Sequence, residues 1–228
     1  MRLLLIIFII LVAIANTALA QYNGVGISVN GGVSYISLTL PVDNVKQQSD
    51  PLFCFETGMF YKYNPTKHSG IEAELNYLLQ QGRITDFVSY TTANGDTTIN
   101  TGTDVITTKL GYLSLPLRYV YSIHHFAISG GAQLGWALHQ RAFNTGYVFT
   151  TDSVISFSSE YEKPIVKNFD LGFTLGAAHD ISSNFFVCLH AYHSILNIVA
   201  NKDNWGVRRN TNIVAGIGYR FLKAGKKS

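Results

Sequence analysis

Glu72 and Glu74 are the acidic pair in this 228-residue chain whose spacing could do chemistry. At i and i+2 on a strand, both carboxylates project to one face, an arrangement compatible with acid–base work. One strand phase brings further ionisable groups to the same interior: Glu56, Lys62, Arg118, Asp170 and Arg220. Charges enclosed by an apolar wall are tolerable only when paired and hydrogen-bonded. The expectation is therefore a structural network in which Arg118 and Arg220 meet Glu72 or Glu74, with no catalytic role for any of them. Of the seven histidines, His124 and His125 share a tight turn and His68 sits in another. His190 and His193 face opposite sides of one strand. None is spaced as a metal ligand with a convincing partner, and there is no phosphate loop, HExxH or CxxC. No catalytic, cofactor-binding or metal residue is expected.

What must hold these groups in place is a chain that begins as an exported one. Arg2 gives a positive start, Leu3 to Ala15 an apolar run, and Ala18-Leu19-Ala20 a small-x-small cleavage site. That run is shorter than the about 20 residues a membrane helix needs. The expected division is a cleaved secretory signal over 1–20, one β domain over 21–221, and a basic tail over 222–228. Charged residues make up 14% of the chain, against about 25% in ordinary globular domains. Aromatics reach 13%, and there are 20 glycines. Low charge without a later helical span fits a barrel that crosses a membrane by strands. The +3 net charge is partly the terminal tail and gives no clustered basic face, which excludes nucleic acid as a partner.

Eight segments alternate as strands should: Val25–Leu38, Phe53–Tyr63, Gly70–Arg83, Thr107–Tyr121, Phe126–Gln140, Asn168–Asp180, Phe185–Ile198 and Asn210–Phe221. Tight turns follow the second, fourth and sixth. Long connections follow the first, third, fifth and seventh. This strict asymmetry predicts an eight-stranded antiparallel up-and-down transmembrane barrel with short periplasmic turns, long extracellular hairpin loops and both mature termini periplasmic. The third and fourth strands should continue as a projecting ribbon with Asn94-Gly95 at its tip. A second hairpin is expected within Gly146–Glu162.

Face assignment rests on two observations. In the fifth strand, Ala127, Ser129, Gly131, Gln133, Gly135 and Ala137 share a small, uncharged face, suited to a narrow lumen rather than to solvent. Three strands end, at the short-turn side, with two aromatics on the apolar face: Tyr61 and Tyr63, Tyr119 and Tyr121, Tyr219 and Phe221. Rings at one common depth are an interfacial girdle. Trp136, Tyr77, Phe53 and Phe169 give a looser girdle at the other end. On this phase Cys54 lies near the outer end and Cys188 near the periplasmic end, on the order of 20 Å apart. A disulfide needs Cα atoms within about 7 Å, so two free thiols are expected.

The chain resembles the small outer-membrane barrels of Bacteroidetes known as PorT-like. "ELNYLLQQG" (Glu74–Gly82), "YLSLPLRY" (Tyr112–Tyr119), "FDLGFTLGAA" (Phe169–Ala178) and "GIGYRF" (Gly216–Phe221) carry the resemblance over nearly the whole mature chain. Ser114 stands where an acidic residue is usual, and the tail beyond Phe221 outruns the usual terminal aromatic. The resemblance implies fold and location: an integral protein of a Gram-negative outer membrane, in contact with lipid and inserted by the barrel-assembly machinery. One member is linked to export of surface proteins, a role not carried over here.

The expected function is non-enzymatic, exercised through the extracellular loops or within an envelope assembly, with no cofactor. The alternatives are a small porin-like channel, a membrane-embedded enzyme and a soluble lipocalin-like barrel with its faces reversed.

Overall fold

The computed structural model describes residues 24–39, 46–91, 99–149, 154–160, 166–198 and 207–223. The expected leader over 1–20, the Asn94-Gly95 tip and most of the terminal tail lie outside them. Alternation becomes strand at β1 (Gly24–Thr39), β2 (Lys46–Tyr63), β3 (Ser69–Thr91), β4 (Ile99–Ile123), β5 (Phe126–Phe149), β6 (Val154–Glu160), β7 (Phe169–Asp180), β8 (Phe185–Ser194) and β9 (Val207–Lys223). Pairing runs β4-β3-β2-β1-β9-β8-β7-β5, all antiparallel, and a β4–β5 ladder joins the two ends. Eight strands therefore close into the up-and-down ring that the loop asymmetry demands. Closure leaves no edge within the ring.

The short connections are held by local chemistry. After β2, the Thr66 hydroxyl accepts from the Ser69 backbone N–H at 2.9 Å. After β7, the Ser182 hydroxyl accepts from the Phe185 N–H at 3.0 Å. Between β4 and β5 the turn is only His124-His125, and His124 adopts a φ of 55°. Such positive φ is what two-residue hairpin turns require, and few residues other than glycine and asparagine supply it cheaply.

At the opposite end the strands outrun the ring. The β3–β4 ladder continues to Thr91 opposite Ile99, β4–β5 to Gly102 opposite Val148, and β2 joins through Lys46 opposite Phe87. β6 pairs with Phe143–Phe149 of β5. Both expected hairpins are present, and together with β2 they form one projecting five-stranded sheet. Two boundaries differ from the sequence reading. β2 begins at Lys46, not near Phe53, because Lys46–Asp50 pairs with the extension of β3. β8 ends at Ser194 rather than Ile198, because the chain turns inward there: the Ile198 carbonyl accepts from Lys167 N–H at 2.6 Å, and the Ile198 N–H donates to Arg208.

The phase is that of a membrane barrel. Val29, Met59, Leu75, Leu117, Leu134, Phe173, Leu189 and Ile217 are exposed on the outside. Ser28, Asn30, Glu56, Glu74, Asn76, Ser114, Arg118, Gln133, Asp170 and Thr174 are buried inside. Tyr63, Tyr119, Tyr121, Phe221 and Trp136 all stand exposed on the outer face, and Tyr61 is half-buried. Tyr219 packs between Phe185 and Phe221, with ring centroids 4.9 and 5.3 Å away.

Candidate functional site: the lumen

The polar interior divides into three groups along the barrel. In the central one, Glu72 of β3 lies directly opposite Arg118 of β4, with Arg118 Nη2 3.1 Å from Glu72 Oε1. The same nitrogen donates to Glu74 Oε1. Asn76 Nδ2 donates to Glu74 Oε2 at 2.7 Å. From the facing wall, Asn30 Nδ2 donates to Glu56 Oε1 at 3.0 Å, and the Cys188 thiol donates to Asn30 Oδ1 at 3.3 Å. Arg118 is 2% exposed and Glu56 and Glu74 are 4% exposed, so every charge here is read against a low dielectric.

Two local features make room for this group. Gly216 opposes Asn30 on β9, and a Cβ there would stand 2.1 Å from Asn30 Oδ1. Pro116 has no N–H to give, and the β3–β4 pairing breaks where Glu74 and Leu75 face Leu115 and Pro116.

Asp170 anchors a second group nearer the long connections. Ser194 Oγ donates to Asp170 Oδ1 at 2.5 Å, and Asn210 Nδ2 donates to Asp170 Oδ2 at 2.8 Å. Asn210 also reaches the Tyr112 hydroxyl at 3.3 Å. Beyond it lies a cluster of buried apolar side chains. Ile36, Leu78, Ile84, Leu110, Tyr112 and Ala137 of the wall close around Val166 and Ile198, which come from the connecting segments. The long-connection mouth of the lumen is thus filled by side chains.

The third group lies at the short-turn end. The expectation that Arg220 meets Glu72 or Glu74 is corrected: Arg220 Nη2 pairs with Asp180 Oδ1 at 2.7 Å and its guanidinium stacks 4.5 Å over Phe186. Arg220 is three strands from Glu74 around the wall, along the ladder Arg220–Gly26–Phe60–Glu74, and its side chain meets instead the last residue of β7, Asp180. Phe186 meets Phe60 edge-on at 5.4 Å.

Both thiols are free, but not for the reason of depth. The ladder runs Cys188–Gly216–Asn30–Glu56, and Glu56 is two residues from Cys54. Three strand spacings of about 4.8 Å each separate the cysteines around the wall, and Cys188 belongs to the central group. Sequence reasoning also missed Asn30 and His190. His190 Nε2 or Nδ1, with one carboxylate oxygen each from Glu56 and Glu74, forms a set whose atoms lie within 4.8 Å of one another. The alternation places all three inside, but only the register across the β1–β9 closure brings them together.

A closed eight-strand ring with an apolar belt outside and a polar, side-chain-filled lumen defines an integral outer-membrane barrel. The chain belongs to the outer membrane protein beta-barrel domain family, whose profile matches residues 17–200. This places it in the outer membrane of a Gram-negative bacterium. Comparison with curated proteins gives no match. Among solved structures the chain is similar to Ail, the attachment invasion locus protein of Yersinia pestis, at 14% identity over 88% of this chain and 100% of that one, with a TM-score of 0.38. It is similar to Neisserial surface protein A at 12% identity, 88% and 100% coverage and a TM-score of 0.41. The outer membrane protease OmpT from Escherichia coli gives 11%, 88% and 97%, with a TM-score of 0.42. None of these bears on what the chain does.

Proposed function

We propose that this barrel is not an enzyme and that it works through the sheet projecting from its long-connection end, at the cell surface or as a subunit of an envelope assembly. The observation that carries the reading is β6. All seven of its residues are exposed, Val154, Ile155 and Phe157 among them, and among the described residues its only strand partner is β5. An edge of this kind offers unpaired backbone groups to an added strand. The apolar cluster around Val166 and Ile198 supports the reading from the other side, because its buried side chains occupy the long-connection mouth of the lumen. In this account the first twenty residues are removed on export, both mature ends lie in the periplasm, outer-membrane lipid surrounds the belt, and the barrel-assembly machinery inserts the chain.

Native electrophoresis of protein gently extracted from outer membranes tests this. A band well above one barrel plus detergent, reduced to a single barrel by V154K/I155K/F157K, is expected for an assembly. For a free surface protein, the same triple variant lowers whole-cell binding while the barrel stays folded. If the variant changes neither, the projecting sheet is not the working part. Protease shaving of intact cells should cut within the projecting sheet; cleavage confined to the short turns would invert the orientation.

A further inference from the structure

Glu56 and Glu74 come from the neighbouring strands β2 and β3 and His190 from β8, which pairs with neither, and each aims one ligand atom into the same 4.8 Å neighbourhood. The charge in this layer does not balance. Glu56, Glu72 and Glu74 face two cations: Arg118, committed to Glu72 and Glu74, and Lys62, opposite Glu72 on the β2–β3 ladder. Among the described residues Glu56 has no ion pair and is held by Asn30 alone. Three carboxylates against two cations leave one negative charge unmatched, in a place where an unpaired charge is strongly disfavoured.

Unsatisfied donor atoms lie beside the carboxylates. His190 Nδ1 is buried without a hydrogen-bond partner. Asn76 is 0% exposed, gives its amide nitrogen to Glu74, and leaves its own carbonyl oxygen unpartnered. Such atoms are rare in native interiors and ask for an explanation, an ion among them. There is also a way in: a cavity in the short-turn half of the lumen is lined by Glu72, Glu74 and His190 together with Lys62 and Arg220.

We propose that Glu56, Glu74 and His190 bind one divalent first-row transition cation, with zinc the best match to one imidazole and two carboxylates and the remaining position left to water. Its positive charge meets Glu56, the carboxylate of this layer that has no ion pair among the described residues. Asn30 is the outer support: bonded to both Glu56 and Cys188, it sets the direction of the Glu56 carboxylate as such second partners do at metal sites. The ion braces β8 to the β2–β3 pair, with which it shares no ladder, and it enters from the short-turn end, since the other mouth is filled.

The test uses untagged full-length barrel refolded in detergent, stripped with a chelator, and titrated with zinc by calorimetry and with cobalt by visible absorption. One equivalent per chain is expected, with cobalt bands of low symmetry. Glu56→Gln and His190→Gln should each weaken binding at least tenfold, and His193→Gln, on the outer face of the same strand, should leave it unchanged. Heat-shifted electrophoretic migration confirms that each variant is folded. Zinc bound equally well by H190Q and E56Q, or no saturable binding to the folded wild type, overturns the proposal.

Discussion

Arg118 lies directly opposite Glu72 across the β3–β4 ladder and spans from there to Glu74, so one buried guanidinium serves two carboxylates of the neighbouring strand. Removing it leaves both acids inside the wall without a cation. Arg118→Met should therefore lower stability by about 3–5 kcal/mol, the usual cost of breaking a buried pair from one side. The triple change R118M/E72Q/E74Q should recover most of that loss. Urea unfolding of refolded protein, followed by tryptophan fluorescence, measures both.

Gly216 and Gly31 give a matched contrast on adjacent strands. A Cβ at Gly216 meets Asn30 Oδ1 and the Val29 carbonyl, each at 2.1 Å, whereas at Gly31 its nearest neighbour is the Phe53 ring at 3.7 Å. Gly216→Ala should cost about 1–3 kcal/mol by overpacking. Gly31→Ala should be neutral or stabilising by up to about 1 kcal/mol, since strand glycine is entropically costly. A urea midpoint that falls equally for both variants would remove the close approach at Gly216 as a determinant of the lumen.

The turn between β4 and β5 holds His124 at a φ of 55°. An L-residue in that region costs about 1–2 kcal/mol relative to right-handed backbone, and glycine avoids the penalty. His124→Gly should raise the unfolding free energy by roughly 1 kcal/mol, less the extra freedom glycine gives the unfolded chain. His125→Gly, at a residue without positive φ, should lower it.

Alternation and loop length made the ring legible because both are local. A strand with one apolar and one polar face repeats every two residues, and the turn residues near Thr66, His124 and Ser182 act within their own loops. Glu72 and Arg118 could be paired in advance because they lie on consecutive strands of one hairpin ladder. Arg220 with Asp180, and Glu56 with His190, could not. Their meeting depends on register around a closed, tilted ring, where a shift of two residues in one ladder moves every later partner. β6 was legible as an arm of the hairpin expected within Gly146–Glu162 but its bounds were not: Val154–Glu160 is exposed on both faces, so no buried face imposes a period.

The apolar layer at the long-connection mouth decides between a closed barrel and a pore. Val166 and Ile198, each about 1% exposed or less, enter it from segments outside the ladder and are tied there by Val166 N–H to Gln140 Oε1 at 3.0 Å and by the Ile198 backbone bonds to Lys167 and Arg208. Since these two side chains belong to connections, they can be changed without altering the ring's own strands. In planar bilayers the refolded wild type should pass no stepwise current. V166D/I198D places two carboxylates in the apolar layer, which draws water into it, and should give discrete openings while keeping the folded electrophoretic form. Current steps of equal size from wild type and variant would show that the layer does not close the lumen, and the porin-like alternative would then replace the reading proposed here.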